Sequence, residues 1–248
     1  MAEKNFQAPE MLRTSDPTGF CPGCGHGTAG RLQFEVLEEM GLLDESITVY
    51  DVACDSLYMW AIDTDCVGSA HGRAIATACG VKRVRPNNPV CAYVGDGATY
   101  SIGIQHTIWS ALRNENITVI VVNNGVFGMT GGQMAPTTLI GQKTTTSPAG
   151  RSLERNGQPI DVTKLFTGID IAYLARGSLD SVANINKTKK YIRKAYEKQM
   201  NGEGLSFVEI LSPCPTNWGL TPEKSIERIK DVVEKEYPLG EFIERGVK

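Results

Sequence analysis

Pro89-Val90-Cys91-Ala92-Tyr93-Val94, followed at once by Gly95-Asp96-Gly97, opens the part of the chain whose reading decides the fold. The apolar run reads as a buried strand. Residues 99–113 carry Ile104, Ile108, Ala111 and Leu112 at i, i+4, i+7 and i+8, the pattern of an amphipathic helix. Ile117-Thr118-Val119-Ile120-Val121-Val122 is then a β-branched strand that ends directly at Asn123-Asn124. A strand–helix–strand unit closes as a right-handed crossover, so the two strands lie parallel in one sheet. Asp96 and Asn124 therefore emerge at one carboxyl edge, where open α/β sheets bind ligands. A carboxylate and an amide oxygen are hard donors. Together they suit Mg²⁺, which takes few protein ligands and fills its shell with phosphate oxygens and water. Gly95 and Gly97 let the backbone come close to such phosphates.

The spacing from Gly95-Asp96-Gly97 to Asn123-Asn124 resembles the diphosphate-binding motif of thiamine diphosphate enzymes. That resemblance implies that Asp96, the Asn124 side chain and the Val126 carbonyl hold the metal. A dinucleotide fold fits less well, because Tyr100 stands where a third glycine belongs and the second strand ends in amides rather than an acid. A Walker loop fails too: Gly141-Gln142-Lys143-Thr144 lacks the adjacent Gly-Lys and follows no strand.

At 248 residues, 41% apolar and 21% charged, the chain has the composition of an ordinary globular protein with ample sequence for a core. A net charge of −3 argues against nucleic acid or an anionic membrane as principal partner. No window is apolar enough to span a bilayer, and Met1 to Asn5 open no signal-peptide segment, so a cytoplasmic location is expected. Seven cysteines in such a compartment read as thiols or metal ligands rather than disulfides.

Residues 1–20, with Pro9 and Pro17, read as an irregular arm. A helix capped by Thr28 runs to Met40 and stops at Gly41. Ile47 to Val52 is a strand. Residues 55–68 are less regular: Leu57, Tyr58, Met59 and Trp60 are expected to be buried, and Asp63 and Asp65 to turn the chain. Ala74 to Gly80 is a small-residue helix. Residues 125–151 form a long Gly-, Thr- and Pro-rich segment, read as a lid or binding loop. A short helix and strand follow through Tyr173. Residues 180–200 are a basic helix whose cations read as a solvated face, with docking of an acidic ferredoxin as the sharper alternative. Leu205 to Leu211 is a last strand, and residues 222–236 a charged helix with a mobile tail. No repeat or clean linker breaks the chain, so one α/β domain is expected.

Cys54 and Cys214 each fall just past a strand's carboxyl end, and Cys21-x-x-Cys24 falls on a turn before a helix. If these strands share the sheet, the four thiols lie on the same edge as Asp96 and Asn124. Iron–sulfur cluster, zinc and no metal all stay open on spacing alone. Cys79 and Cys91 read as core; Cys66 has no assigned role.

Cys21-Pro22-Gly23-Cys24-Gly25-His26, His71-Gly72-Arg73, Gly95-Asp96-Gly97, Asn123-Asn124, Phe127 to Gln133 and Cys214-Pro215-Thr216-Asn217-Trp218 together resemble the beta subunit of 2-oxoacid:ferredoxin oxidoreductases. The likeness covers roughly residues 18–220, and Met129 to Thr146 is most similar to the branched-chain (2-oxoisovalerate, 3-methyl-2-oxobutanoate) type. It implies an open, mainly parallel sheet with helices on both faces, the thiamine diphosphate pyrophosphate-binding fold, over residues 21–220, with residues 221–248 as a C-terminal helix and tail. It implies a 4Fe–4S cluster on Cys21, Cys24, Cys54 and Cys214. Thiamine diphosphate is implied to touch Val52, Ala53, Cys54, Asp55, His71, Gly95, Gly97, Ala98, Gly128, Met129 and Thr130. Ala98 is a departure, since many relatives place an acid there. The implied reaction is the coenzyme A-dependent oxidative decarboxylation of a 2-oxoacid to acyl-CoA and CO₂. The implied partners are alpha and gamma subunits with pyrimidine-binding and coenzyme A-related domains, and ferredoxin or a ferredoxin-like delta subunit. The activating glutamate is expected on a partner. Pyruvate and 2-oxoglutarate are alternative substrates. A non-redox thiamine carboligase or decarboxylase, needing no thiols, and a zinc-stabilised scaffold, needing no metal–diphosphate pair, are alternative classes.

Overall fold

The computed structural model describes residues 8–13 and 18–246. Its strands are β1 (Ile47–Tyr50), β2 (Asp65–Gly68), β3 (Val90–Gly95), β4 (Thr118–Asn123), the hairpin pair β5 (Val126–Phe127) and β6 (Gln133–Met134), β7 (Tyr173–Ser178), β8 (Ser206–Leu211) and β9 (Gly240–Glu244). Seven of them make one sheet in the order β2-β1-β3-β4-β8-β7-β9, parallel except for β9, which runs antiparallel against β7. The helices are α1 (His26–Glu39), α2 (Ala74–Val84), α3 (Ile104–Leu112), α4 (Leu153–Asn156), α5 (Val162–Leu165), α6 (Val182–Met200), α7 (Pro215–Trp218), α8 (Pro222–Arg228) and α9 (Glu234–Glu236).

Helices cover both faces of the sheet, which is why the central strands read as continuous apolar runs rather than alternating ones. Successive residues of β3 feed opposite layers. Tyr93 packs with Ala29 and Leu37 of α1 and Ile192 of α6. Its neighbours Ala92 and Val94 pack with Ala78 of α2 and Ala111 of α3. β3 and β4 pair in parallel with Gly95 opposite Val122, which brings Asp96 and Asn124 to one edge.

Several segments depart from the expectation. The helix after β3 begins at once on Asp96, widens through a π-type turn at Ala98–Ile102 and only then becomes α3. Of the expected stripe, Ala111 is buried and Ile108 packs against the core, but Leu112 is exposed, and Thr107 and Ser110 complete the buried side. Cys54–Trp60 is a 3₁₀ turn that buries Tyr58 but leaves Trp60 exposed, and Asp65 starts the edge strand β2. α1 starts two residues before Thr28, at His26, with no side-chain cap. The C-terminal tail is not loose: residues 240–244 form β9 and complete the sheet that holds the central strands.

The segment 125–151 is ordered around Arg151. Its guanidinium donates to the carbonyls of Ala135, Pro136, Thr138, Asn156, Gly157 and Gln158. Four of the six cations of α6 are partnered within the chain: Lys189 and Arg193 pair with Glu35 and Glu39 of α1, Lys194 with Glu241 and Glu244 of β9, and Lys198 with Glu203. Lys187 and Lys190 are exposed and make no ion pair among the described residues, so the solvated face expected of this helix is confined to them. Of the N-terminal arm, Leu12 bridges to Ile62 and Arg13 pairs with Asp63 at 2.6 Å; residues 1–7 and 14–17 lie outside the described residues. No helix among the described residues is long and apolar enough to cross a membrane.

Candidate active site

A cavity of about 280 Å³ opens at the carboxyl edge of β1, β3 and β4. All eleven residues expected to contact the cofactor line it: Val52, Ala53, Cys54, Asp55, His71, Gly95, Gly97, Ala98, Gly128, Met129 and Thr130. Asn124 and Val126 line it as well; Asp96 lies behind them, 2% exposed. A methyl group added at Gly95 would meet nothing, so this glycine leaves open space, whereas Gly97 is required because the Phe127 ring lies against it.

Asp96 sits where a cation is called for. It accepts a hydrogen bond from the Thr137 hydroxyl, and no ion pair reaches it among the described residues. Burial pushes its carboxyl up to about 7, and the nearby Glu209 charge adds to that. A divalent ion would offset that cost. The Asn124 side-chain oxygen accepts the Val126 N–H at 3.1 Å, and the Asn124 carbonyl accepts the Trp218 indole N–H at 3.1 Å. Asp96, Asn124 and Val126 thus converge on one edge with oxygen donors, a set that suits Mg²⁺.

On the opposite wall His71 is held by Asp51, through Nδ1 and Oδ1. Asp51 also accepts the Gly72 N–H at 2.7 Å, and its own N–H donates to Asp55 at 2.7 Å. Burial, with the Asp51 charge behind it, pushes Asp55 well above the ordinary carboxylate range. His26, read from sequence as a turn residue, is buried in the cavity wall between the rings of Phe20 and Tyr93. Burial lowers it to about 4, so the imidazole is neutral. Neither His26 nor Asp51 carries a local signal apart from its place beside Cys24 and at the end of β1.

The four thiols gather beside this cavity and graded by depth: Cys21 exposed, Cys24 and Cys54 half-buried, Cys214 buried. The Cys21–Cys24 turn is tied to the Cys214 loop by Gly25 N–H donating to the Pro213 carbonyl at 3.3 Å. Asn217 spans both sites, its amide donating to the Gly128 carbonyl at 3.2 Å and to Cys214 Sγ at 3.3 Å. Burial pushes Cys24 up to about 11 and Cys54 up to about 12; Cys214 and Cys21 raise both further, and Cys24 also raises Cys54. Among the described residues no three His, Cys, Asp or Glu side chains converge on a single ion. Four thiols at one corner are the donor set that thiolate-ligated metal centres use.

Cys66 lies on β2 against the core, and Cys91 is buried in it. Cys79, half-buried, faces the Ser110 hydroxyl at 3.4 Å.

A family model described as thiamine pyrophosphate enzyme, C-terminal TPP binding domain, matches residues 53–210. The chain is 40% identical over 256 residues to ketoisovalerate oxidoreductase subunit VorA of Methanothermobacter marburgensis, covering 99% of this chain and 54% of that one. It is 34% identical over 227 residues to 2-oxoglutarate synthase subunit KorB of Archaeoglobus fulgidus, covering 92% and 79%. In fold it matches, with a TM-score of 0.79 at 23% identity over 100% of this chain and 88% of the other, a 2-oxoglutarate:ferredoxin oxidoreductase from Magnetococcus marinus solved with 2-oxoglutarate, coenzyme A and succinyl-CoA bound. The chain spans about half the length of the ketoisovalerate relatives it matches. These matches place the chain among the thiamine pyrophosphate enzymes by its TPP binding domain, and it belongs there to the family of 2-oxoacid:ferredoxin oxidoreductase subunits.

Proposed function

We propose that this chain is the beta-type subunit of a 2-oxoacid:ferredoxin oxidoreductase, converting a branched-chain 2-oxoacid and coenzyme A to acyl-CoA and CO₂ with a pair of electrons passed to ferredoxin. The observation that carries the reading is the meeting of the Asp96–Asn124 edge and the four thiols around one cavity. When bound, thiamine diphosphate supplies the carbanion chemistry of decarboxylation, and a 4Fe–4S cluster takes up single electrons. Asp96, Asn124 and the Val126 carbonyl hold Mg²⁺ against the diphosphate. Gly95 leaves the backbone bare on that side. Cys54 lines the cavity itself, so the thiol corner begins where the substrate is processed.

The lining of the cavity contains no glutamate among the described residues, which supports an activating glutamate from a partner subunit. Val52 and Met129 stand exposed at its mouth and give the substrate chain an apolar neighbour rather than a cation. That favours a branched-chain 2-oxoacid over 2-oxoglutarate, as does the higher identity to the ketoisovalerate subunit than to the 2-oxoglutarate one. Ferredoxin docking on α6 is not part of this reading, because four of its six cations are internally paired. A carboligase is disfavoured because it needs no thiols beside the cavity.

Anaerobic assay of the purified complex with 2-oxoisovalerate, pyruvate and 2-oxoglutarate, following ferredoxin reduction, tests this. The highest kcat/KM is expected for 2-oxoisovalerate, and the isolated chain is expected to turn over none of the three. Preference for 2-oxoglutarate would overturn the substrate assignment; turnover by the chain alone would overturn the need for a partner.

A further inference from the structure

One carboxylate stands behind both halves of the metal–diphosphate edge. Glu209 lies on β8, beside β4, and is 1% exposed. Its Oε1 accepts the Tyr100 hydroxyl at 2.8 Å and the Asn123 side-chain amide at 3.2 Å. Tyr100 sits on the widened turn, Ala98–Ile102, of the helix that begins at Asp96, and Asn123 immediately precedes Asn124. The other oxygen, Oε2, accepts from Arg176 Nε. Arg176 is enclosed in turn: it donates to Asp161 at 2.7 Å and to the Pro238 carbonyl at 3.1 Å, and lies over the rings of Tyr237 and Phe242.

The orientation of the Asn123 amide passes this constraint to the edge. With Nδ2 turned to Glu209, Oδ1 faces the other way and accepts the Gly125 N–H at 3.2 Å. Gly125 takes a left-handed φ of +71°, the turn that carries the chain from Asn124 to Val126. A second path runs from the ring under Arg176: the Tyr237 hydroxyl donates to the Thr137 carbonyl at 2.9 Å, and the Thr137 hydroxyl donates to Asp96.

We propose that Glu209, with Arg176 as its buried counter-cation, is the positioning residue of the metal–diphosphate site, setting Asp96 and the Asn124–Val126 turn in register before the ion arrives. This rests on the reading that Asp96 and Asn124 hold Mg²⁺ against thiamine diphosphate. The position needs an acceptor at both ends of one side chain, because Arg176 can only donate and the Asn123 amide already turns its donor end inward. A glutamine has one acceptor end. Its NH₂ must meet either Arg176 or the Tyr100–Asn123 pair. The charged partner claims the acceptor, so the NH₂ meets Asn123, whose amide must then rotate and present a donor to the Gly125 N–H. A buried donor facing a donor leaves both unsatisfied, and the turn moves instead.

The test uses the purified complex, stripped of divalent ions by a chelator, with Mg²⁺-dependent thiamine diphosphate binding followed by calorimetry. If the unsubstituted complex binds neither, the functional reading falls and the proposal with it. If it binds both, Glu209→Gln is expected to weaken Mg²⁺ at least about tenfold, the scale seen when the residues that orient metal ligands are changed. Tyr100→Phe keeps the ring and removes one donor; it is expected to weaken Mg²⁺ about threefold, below that range. It decides the matter if Glu209→Gln does not fold. A purely structural role would lower the melting temperature of the metal-free variants and leave Mg²⁺ affinity as it was. That result, in whichever variant folds, overturns the proposal.

Discussion

The metal–diphosphate edge and the thiol corner share one cavity, yet they are built in opposite ways. The edge comes from the ends of two adjacent parallel strands, and its donors are fixed from behind by buried partners: Thr137 for Asp96, Glu209 for Asn123, Trp218 for the Asn124 carbonyl. The corner comes from a turn, a 3₁₀ start and the loop after β8, held by bonds within those loops, such as Cys24 to Cys21 and Trp218 to Cys214, and by Gly25 to Pro213 and Asn217 to Cys214 and Gly128. The edge keeps a carboxylate buried in wait for a cation. At the corner burial pushes two thiols, Cys24 and Cys54, far up, so binding a metal to them would release protons. On the proposed reading, strand ends would give a preorganised site and loops a site that its metal would complete.

Substitutions that separate the two regions sharpen this contrast. The largest effect is expected from Asp96→Asn, which removes the charge the ion needs. Mg²⁺-dependent thiamine diphosphate binding should weaken by more than about a hundredfold, beyond the range of indirect partners, while the iron and sulfide content stays unchanged. Cys24→Ser should do the converse, cutting iron from about four per chain with diphosphate binding kept; colorimetric iron and sulfide assays on anaerobic protein check both. If either variant loses both groups together, the two regions are one folding unit and the contrast fails.

Arg151→Met probes the loop that carries the cavity's outer wall. It leaves six carbonyls without their donor and should destabilise the protein by about 2–4 kcal/mol, measured by denaturant unfolding.

What the sequence made legible follows the same division. The β-branched runs of β3 and β4 and the glycines after them located the edge, because strands buried on both faces cannot read otherwise. The edge strands were not legible. Asp65–Gly68 is short and half-exposed, and Gly240–Glu244 carries Glu241 and Glu244 on a rim where polar residues are tolerated. The α3 face was legible at Ile108 and Ala111 but not at Thr107 and Ser110, because close packing on α2 also buries small polar residues that an apolar pattern passes over. Residues 125–151 read as a lid or binding loop, but what orders them was not legible, because Arg151 acts through carbonyls, which no side-chain pattern reports. The partners behind the edge, Glu209 and Arg176, are single polar residues inside strands. Only the sheet order brings them under Asn123.

Acid should loosen the back of the edge through Asp161. Burial would raise its carboxyl, but the hydrogen bonds and charge of Arg176 outweigh that and hold it below the ordinary 3.8. A carboxyl depressed in the folded state stabilises above its unfolded value and loses that stability as pH falls through the folded one. The melting temperature should therefore drop as pH goes below about 4, and Asp161→Asn should flatten that drop. The smallest effect is expected on the far side of the sheet. Lys189→Met breaks half-exposed pairs with Glu35 and Glu39 and should cost no more than about 1 kcal/mol.

Mn²⁺ in place of Mg²⁺ offers the most direct test of the central claim that Asp96 and Asn124 grip an ion on the diphosphate. Electron–nuclear double resonance on the Mn²⁺–thiamine diphosphate complex should show coupling to phosphorus, and Asp96→Asn should abolish it. The same phosphorus coupling persisting in Asp96→Asn would contradict the account.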